Sequence, residues 1–455
     1  MSARSEMQSG AKQTNLPDQS TLENLIAEVL DTSRAQGADA AEAAVSAESG
    51  LCVTVRMGEV ETIEYNRDKG LGITVYMGGR KGSASTTDFT PSALQRTVQA
   101  ACDLARYTAE DPCAGLAPAE RMATSFPDLE LCHPWSLGAE QAVELARECE
   151  AVALAEDSRI NNSEGGSVSS HESCRVYGNT HGFLGGKSST YHSASCAVIA
   201  EQDGAMERDY WYDASREPDK LMTMDEIGRQ AARRTVSRLG ARKLSTRKVP
   251  VIYSAEVAVS LLGHFVGAVR GANLYRKSSF LLDKLGEQVF PEWLRIHEQP
   301  LLKRALGSDS FDHEGVATRA RDLVSGGVLQ GYVLNQYAAC RLGMQTTANA
   351  GGTHNLTIDT GDKDLAGLLN EMGTGLLITE LMGSSVNMVT GNYSRGAAGF
   401  WVENGELAYP VAEITVAGNL AEMFKNIVTI GNDIDTRRST RTGSILISEM
   451  TIAGE

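Results

Sequence analysis

Three His-Glu pairs carry the residue types of metal-assisted hydrolysis: His171-Glu172, His297-Glu298 and His313-Glu314. A zincin joins such a pair to a second His four residues after the first, so that both imidazoles share one helix face and the Glu serves as general base. Those positions hold Arg175, Leu301 and Ala317, so none of the pairs qualifies. No Gly-x-Ser-x-Gly nucleophile elbow occurs. His181-Gly182-Phe183-Leu184-Gly185-Gly186-Lys187-Ser188 comes nearest to a phosphate loop, but His181 stands where the first Gly is required. Gly70-Leu71-Gly72 lacks the third Gly of a dinucleotide fingerprint, and the eight Cys include no Cys-x-x-Cys pair. A stand-alone enzyme would have to assemble its site from residues far apart in the chain.

Composition narrows the remaining classes. The 58 acidic and 42 basic side chains leave a net charge of -16, with no compact Lys/Arg stripe, which argues against nucleic-acid binding. No run of eighteen apolar residues is present and the N-terminus has no signal-peptide core, so the expectation is a cytoplasmic protein without membrane contact. Eight scattered Cys in so long a chain read as reduced, structural thiols.

The elements that must position any site are α+β throughout. Residues 1–19 read as a polar disordered tail. A first α+β domain covers 20–112: a helix with Leu22, Leu25, Ile26 and Val29 on one face, then strands from the alternation of Leu51, Val53 and Val55. Turns are expected at Gly58-Glu59 and Gly78-Gly79, and a second helix opens at Thr90-Pro91. A second α+β domain covers 134–242, helix first and then hairpins. The larger mixed α+β domain, 246–455, has a helix after Ser254 with the apolar line Val257, Leu261, Phe265 and Val269. Further helices are expected over 365–382 and 420–430. Two hairpin-rich N-terminal domains and this larger one make three.

The C-terminal half resembles the TldD/PmbA metallopeptidase family. Long strings in order carry the likeness: Leu274–Asp283, Ala350-Gly351-Gly352-Thr353-His354-Asn355, Glu371–Leu376, Asn392–Gly405, Ala417-Gly418-Asn419 and Val428–Asp433. Within that family the chain looks like the non-catalytic TldE (PmbA) branch. The catalytic TldD branch is implied to hold its metal with a His-Glu-x-x-x-His run on a helix and a Cys near the C-terminus. Here the matching positions are His264, Phe265, Val269 and Thr442. A phenyl ring cannot act as general base and a lone imidazole cannot form a three-ligand zinc site. The resemblance therefore implies no catalytic residue, no metal and no cofactor in this chain, and a divalent metal, zinc, in a TldD-like partner.

That partner, a heterodimer and unfolded peptide substrates, including microcin precursors and antitoxins, are what the resemblance implies for function. Gly-rich strings at 350–355 and 391–405 allow close backbone approach and are candidates to line a peptide channel. His354, Arg395 and Trp401 are the candidate peptide or partner contacts, set against a turn role for His354 and core packing for Trp401. Two other readings stand beside this one: an autonomous hydrolase with a nucleophile placed by the fold, and a homodimeric peptide-binding scaffold that forms in isolation.

Overall fold

The computed structural model describes residues 16–454. The first fifteen residues of the expected tail lie outside them, and by Asp18 the chain is already committed to structure. The Asp18 carboxylate accepts the Thr21 N–H at 2.7 Å and caps α1 (Gln19–Ala35). The chain continues through β1 (Ala40–Arg56), β2 (Glu59–Met77), β3 (Arg80–Thr86), α2 (Pro91–Tyr107), α3 (Ala139–Glu156), β4 (Ile160–Asn179), β5 (Leu184–Gln202), β6 (Ala205–Ser215) and α4 (Met224–Ser237). Hairpins turn at Met57-Gly58 and at Gly78-Gly79, where both central residues have positive φ, the primed geometry that matches strand twist. At the start of α4 the Thr223 hydroxyl accepts from the Glu226 N–H while the Glu226 carboxylate accepts from the Thr223 N–H, a reciprocal cap.

These strands form one six-stranded sheet in the order β3-β2-β1-β4-β5-β6. β1 pairs with β4 from Glu42↔Asn179 to Val55↔Gly166, so the first two stretches of sequence meet in a continuous sheet. Its helices cover a single face. α1 and α2 pack on Ala43, Val45, Ile73 and Val75, and α3 and α4 on Leu51, Val53, Val168 and Val198. Gly228 lets α4 come close to α3, since a Cβ there would lie 2.4 Å from the Cys149 carbonyl oxygen. The other face carries small polar side chains in register, such as Ser169 bonded to Ser193 at 2.8 Å and Ser173 bonded to Ser189 at 3.0 Å.

The larger unit begins with β7 (Arg247–Tyr253), α5 (Ala255–Val269) and α6 (Gly271–Tyr275). Short pieces follow: β8 (Ile296–Glu298), β9 (Arg321–Ser325), β10 (Val328–Leu329), α7 (Gln336–Arg341) and β11 (Leu356–Ile358). It ends with α8 (Leu365–Met372), β12 (Gly375–Val386), β13 (Asn392–Glu403), β14 (Glu406–Asn419), α9 (Leu420–Lys425), β15 (Ile427–Ile430), β16 (Thr440–Arg441) and β17 (Ile445–Ala453). The main sheet runs β14-β13-β12-β7-β17-β15, and β14 also pairs with β17 through Thr415↔Ala453, so five of its strands close on themselves. Closure removes the exposed edges of those five strands. The architecture is α+β, as the sequence implies.

Three expectations are corrected. The helix expected over 365–382 stops at Gly373, where φ is +67°, and the chain resumes as β12. The helix expected over 420–430 is α9 followed by β15. Leu376-Leu377-Ile378 and Ile427–Ile430 are short apolar runs, which periodicity alone cannot divide between helix and strand. The thiols are not all reduced: Cys113 and Cys340 form a disulfide across 227 positions, too far apart for local spacing to announce it. Among the described residues no helix is long and apolar enough to cross a membrane.

Candidate functional site

The helix expected to carry a degenerate metal site is α5. Leu261, Phe265, Ala268 and Val269 face inward, and Phe265 is fully buried edge-on against Phe290, with ring centroids 5.3 Å apart. Phe265 and Val269 are therefore core residues. Thr442 is fully buried, and its hydroxyl bonds the Gly443 carbonyl at 2.9 Å. His264 lies on a different face of the helix, edge-on to Tyr393 with centroids 5.8 Å apart. Its Nε2 is buried without a hydrogen-bond partner. Burial and then the Arg395 guanidinium push its pKa down, so the imidazole is neutral. Orphaned buried nitrogen alone does not make a metal site. The neighbours of His264 offer a phenol and a guanidinium, and a cation there repels a second cation. No group of three or more His, Cys, Asp or Glu among the described residues is placed to hold a metal. These residues do not fit the family's metal.

What the structure does bring to His264 is Arg395. Residues 391–405 form β13 and its approach rather than a loose loop, and β13 carries Tyr393 and Arg395 toward α5. The Nε of Arg395 is buried without a partner and the Tyr393 hydroxyl without a well-aligned one; burial raises the Tyr393 pKa, against the smaller opposing pull of the Tyr253 phenol and the Arg395 guanidinium beside it, and keeps it protonated. Arg395 donates a long bond, 3.4 Å, to the Leu381 carbonyl and lies beside the Tyr393 hydroxyl.

From there a cleft of about 390 Å³ opens between α5, β12 and β13 on one side and β6 and α4 on the other. Five arginines line it (Arg208, Arg234, Arg238, Arg395 and Arg438) against three carboxylates, Asp209, Glu256 and Glu380. Arg234 and Arg238 engage all three carboxylates: Arg234 bonds Glu256 at 3.0 Å and lies 3.4 Å from Asp209, while Arg238 pairs with Glu380 and Asp209. Arg208 turns to Glu164, 2.7 Å away. Arg438 donates to the Tyr212 hydroxyl at 2.8 Å. Neither Arg395 nor Arg438 has an ion-pair partner among the described residues. Apart from Arg395, the sequence had not singled out any of these cleft residues. One signal was legible: Glu256, Ser260 and His264 recur at four-residue spacing beside the apolar line of α5, whose first member, Val257, also lines the cleft.

The other candidates fall elsewhere. His354 sits in a buried network of the 350–355 turn, its backbone N–H donating to Glu298 Oε1 at 2.9 Å and its Nε2 3.3 Å from the Ala348 carbonyl. Glu298 also accepts from Arg321 at 2.8 Å and from Asn349 at 2.9 Å, so His354 is the hydrogen-bonded turn residue of the two alternatives. Ala350 and Asn355 at the two ends of the turn are buried, while Gly351 between them is exposed and Gly352, Thr353 and His354 are half-buried. Trp401 is 5% exposed, within the main core, with its indole N–H on Glu403 at 3.0 Å and Arg247 over its ring. Its place is core packing, not a surface anchor. Of the His-Glu pairs, His297-Glu298 lies in β8 and His171-Glu172 in β4, where strand alternation sends neighbouring side chains to opposite faces. The loop at His181 is a turn between β4 and β5, not a strand-to-helix junction.

Comparisons with known proteins agree along the whole length. The chain matches the PmbA/TldA metallopeptidase domain 1 over residues 41–105, the central domain over 132–239 and the C-terminal domain over 246–454. It is 53% identical to Metalloprotease PmbA of Escherichia coli O157:H7, across 95% of this chain and 96% of that one. Identity to the PmbA homolog of Haemophilus influenzae is 50%, across 91% and 92%. Among solved structures, a Bacteroides thetaiotaomicron protein named as a candidate modulator of DNA gyrase superposes with a TM-score of 0.91 at 31% identity, covering 95% of this chain and 99% of that one. TldE of Thermococcus kodakarensis shares the fold, with a TM-score of 0.82 at 21% identity over 95% and 99% of the two chains. With all three domains matched in order and half of its residues shared with a relative of equal length, this chain belongs to the PmbA/TldD metallopeptidase family.

Proposed function

We propose that this chain is the non-catalytic subunit of a TldD/TldE-type heterodimeric peptidase. In this reading a TldD-like partner supplies the divalent metal, zinc, and the two subunits together enclose the unfolded peptides that the partner cleaves in the cytoplasm. One observation carries the proposal: at the helix where the family's motif would stand, Phe265 and Val269 are fully buried core residues, and His264 is left with no second ligand and no general base. A hydrolytic site needs both a ligand set and a group to take the proton from water, and α5 supplies neither. A TldD homolog of Haemophilus influenzae, 24% identical across 82% of each chain, is compatible with a TldD-like partner related to this chain. Microcin precursors and antitoxins remain the implied substrate classes.

The test is reconstitution. The purified chain is assayed for bound metal by elemental analysis and for cleavage of an unstructured peptide, alone and mixed with the TldD-like chain of the same genome, with light scattering to read the assembly. Expected are no stoichiometric metal and no cleavage alone, then a 1:1 complex with chelator-sensitive cleavage. Chelator-sensitive cleavage by the isolated chain would overturn the proposal, and a homodimer that persists in excess partner would favour the scaffold reading instead.

A further inference from the structure

We propose that the cleft between α5 and β6 binds a peptide carboxylate, with Arg395 and Arg438 as its cationic partners. The choice of a peptide as ligand rests on the function proposed above, whereas the anion site itself rests on the charges of the cleft.

The first argument is one of balance. All three carboxylates on the walls are already engaged by Arg234 and Arg238, while Arg208 is paired outside with Glu164. Arg395 and Arg438 have no carboxylate within ion-pair distance among the described residues, with Asp435 acting on Arg438 only from further off, and both face the cleft. Arg395 is half-buried with an unsatisfied Nε, and its nearest polar neighbours, His264 and Tyr393, carry no charge. A half-buried guanidinium without a counter-charge keeps hydrogen-bonding capacity unused, and an anion entering beside it takes up that capacity. The planar guanidinium fork suits a carboxylate, which can accept two parallel N–H bonds.

The second argument concerns how a peptide can arrive. β6 is the edge of its sheet, and an exposed edge is the usual template for an added strand. Here the edge is occupied: the Tyr210 N–H donates to Asp209 Oδ1 at 2.7 Å and the Tyr212 carbonyl accepts from Arg437 at 2.9 Å. A segment pairing beside Tyr210 and Tyr212, where β6 borders the cleft, has to displace both bonds. It can reach the guanidinium groups by a chain end or by an acidic side chain, and these two sources share one chemistry.

The experiment uses the whole isolated chain, with no partner and no activity readout, so its failure is separate from a failure of reconstitution. The probe is a decapeptide of Gly, Ser and Ala with one central Glu and a free C-terminus, labelled at its N-terminus with an uncharged boron-dipyrromethene dye so that the label adds no anion, and followed by anisotropy. It is compared with the C-amidated form, the Glu→Gln form and the form with both changes. The doubly changed peptide is expected to bind at least about ten-fold more weakly than the parent, as for the loss of one charge-assisted contact. The single changes assign the source: loss on amidation marks the chain end, and loss on Glu→Gln marks the side chain. Arg395→Gln is expected to bind all four peptides alike, with Arg395→Lys retaining part of the preference. Equal binding of all four peptides by the wild-type chain, or no binding, overturns the proposal whether or not the variants fold. An unchanged preference in a folded Arg395→Gln does so too.

Discussion

Two buried polar clusters of the C-terminal unit are built on opposite terms. Around Glu298, each group finds a partner: the carboxylate accepts from Arg321, Asn349 and the His354 N–H, and Arg321 donates onward to the Tyr332 carbonyl and to Asn349 Oδ1 at 2.7 Å. Around His264, His264 Nε2 and Arg395 Nε find none among the described residues, and the Tyr393 hydroxyl has only the loosely aligned Tyr253 phenol and Arg395 guanidinium beside it. A complete network of this kind fixes one backbone arrangement, and its removal is felt by the fold. An incomplete one contributes little to the fold and leaves hydrogen-bonding capacity free for a ligand. Burial of polar residues is thus common to both clusters, and only the state of their partners separates structure from site.

The contrast can be broken at several points. The largest effect is expected at Glu298, which is 2% exposed: Glu298→Ala leaves the Arg321 charge uncompensated and should cost about 3–5 kcal/mol in urea unfolding. A cost below about 1 kcal/mol would place that network with the incomplete one.

Glu314 lies between the extremes. Burial and then the neighbouring Asp312 push its carboxyl up to about 8, while burial pushes Asp312 itself up to about 6. A carboxyl raised in the folded state holds its proton there more tightly than in the unfolded chain. Its contribution is therefore complete below about pH 4.5, declines as pH rises and is gone above about pH 8. Glu314→Gln should flatten that decline and gain about 2–4 kcal/mol at pH 8 relative to the parent. Unfolding midpoints measured from pH 5 to pH 9 read the difference, and parallel curves for parent and variant would contradict it.

The smallest effect is expected at His264. Replacing an imidazole with no partner for its buried Nε2 by an apolar side chain of similar size, His264→Leu, should change stability by less than about 1 kcal/mol. A loss of several kcal/mol would reveal a role in the fold and erase the distinction between the clusters.

Much of this was legible in the sequence, and the reasons differ by element. The stripe of α1, the Thr90-Pro91 start of α2 and the turns near Gly58 and at Gly78-Gly79 follow from local periodicity and turn chemistry, which do not depend on the rest of the fold. β12 and β15 were hidden because short apolar runs beside a helix share its composition. The reading of Phe265 and Val269 as core was available from the spacing of α5 alone. The cleft was not: Arg234 on α4, Arg238 just after it, Arg395 on β13 and Arg438 near β16 are spread over two hundred positions, and only the way α5 faces β6 and α4 across the cleft makes them neighbours. The register that joins β1 to β4 was equally silent, because hairpin signals predict adjacent strands and not distant ones.

The cystine between Cys113 and Cys340 encloses the entire central stretch of the polypeptide in a covalent loop. Where that bond is formed, a protease that cuts once anywhere inside the loop releases nothing. The nicked molecule runs as one species on a denaturing gel without thiol and falls into two only when dithiothreitol is added.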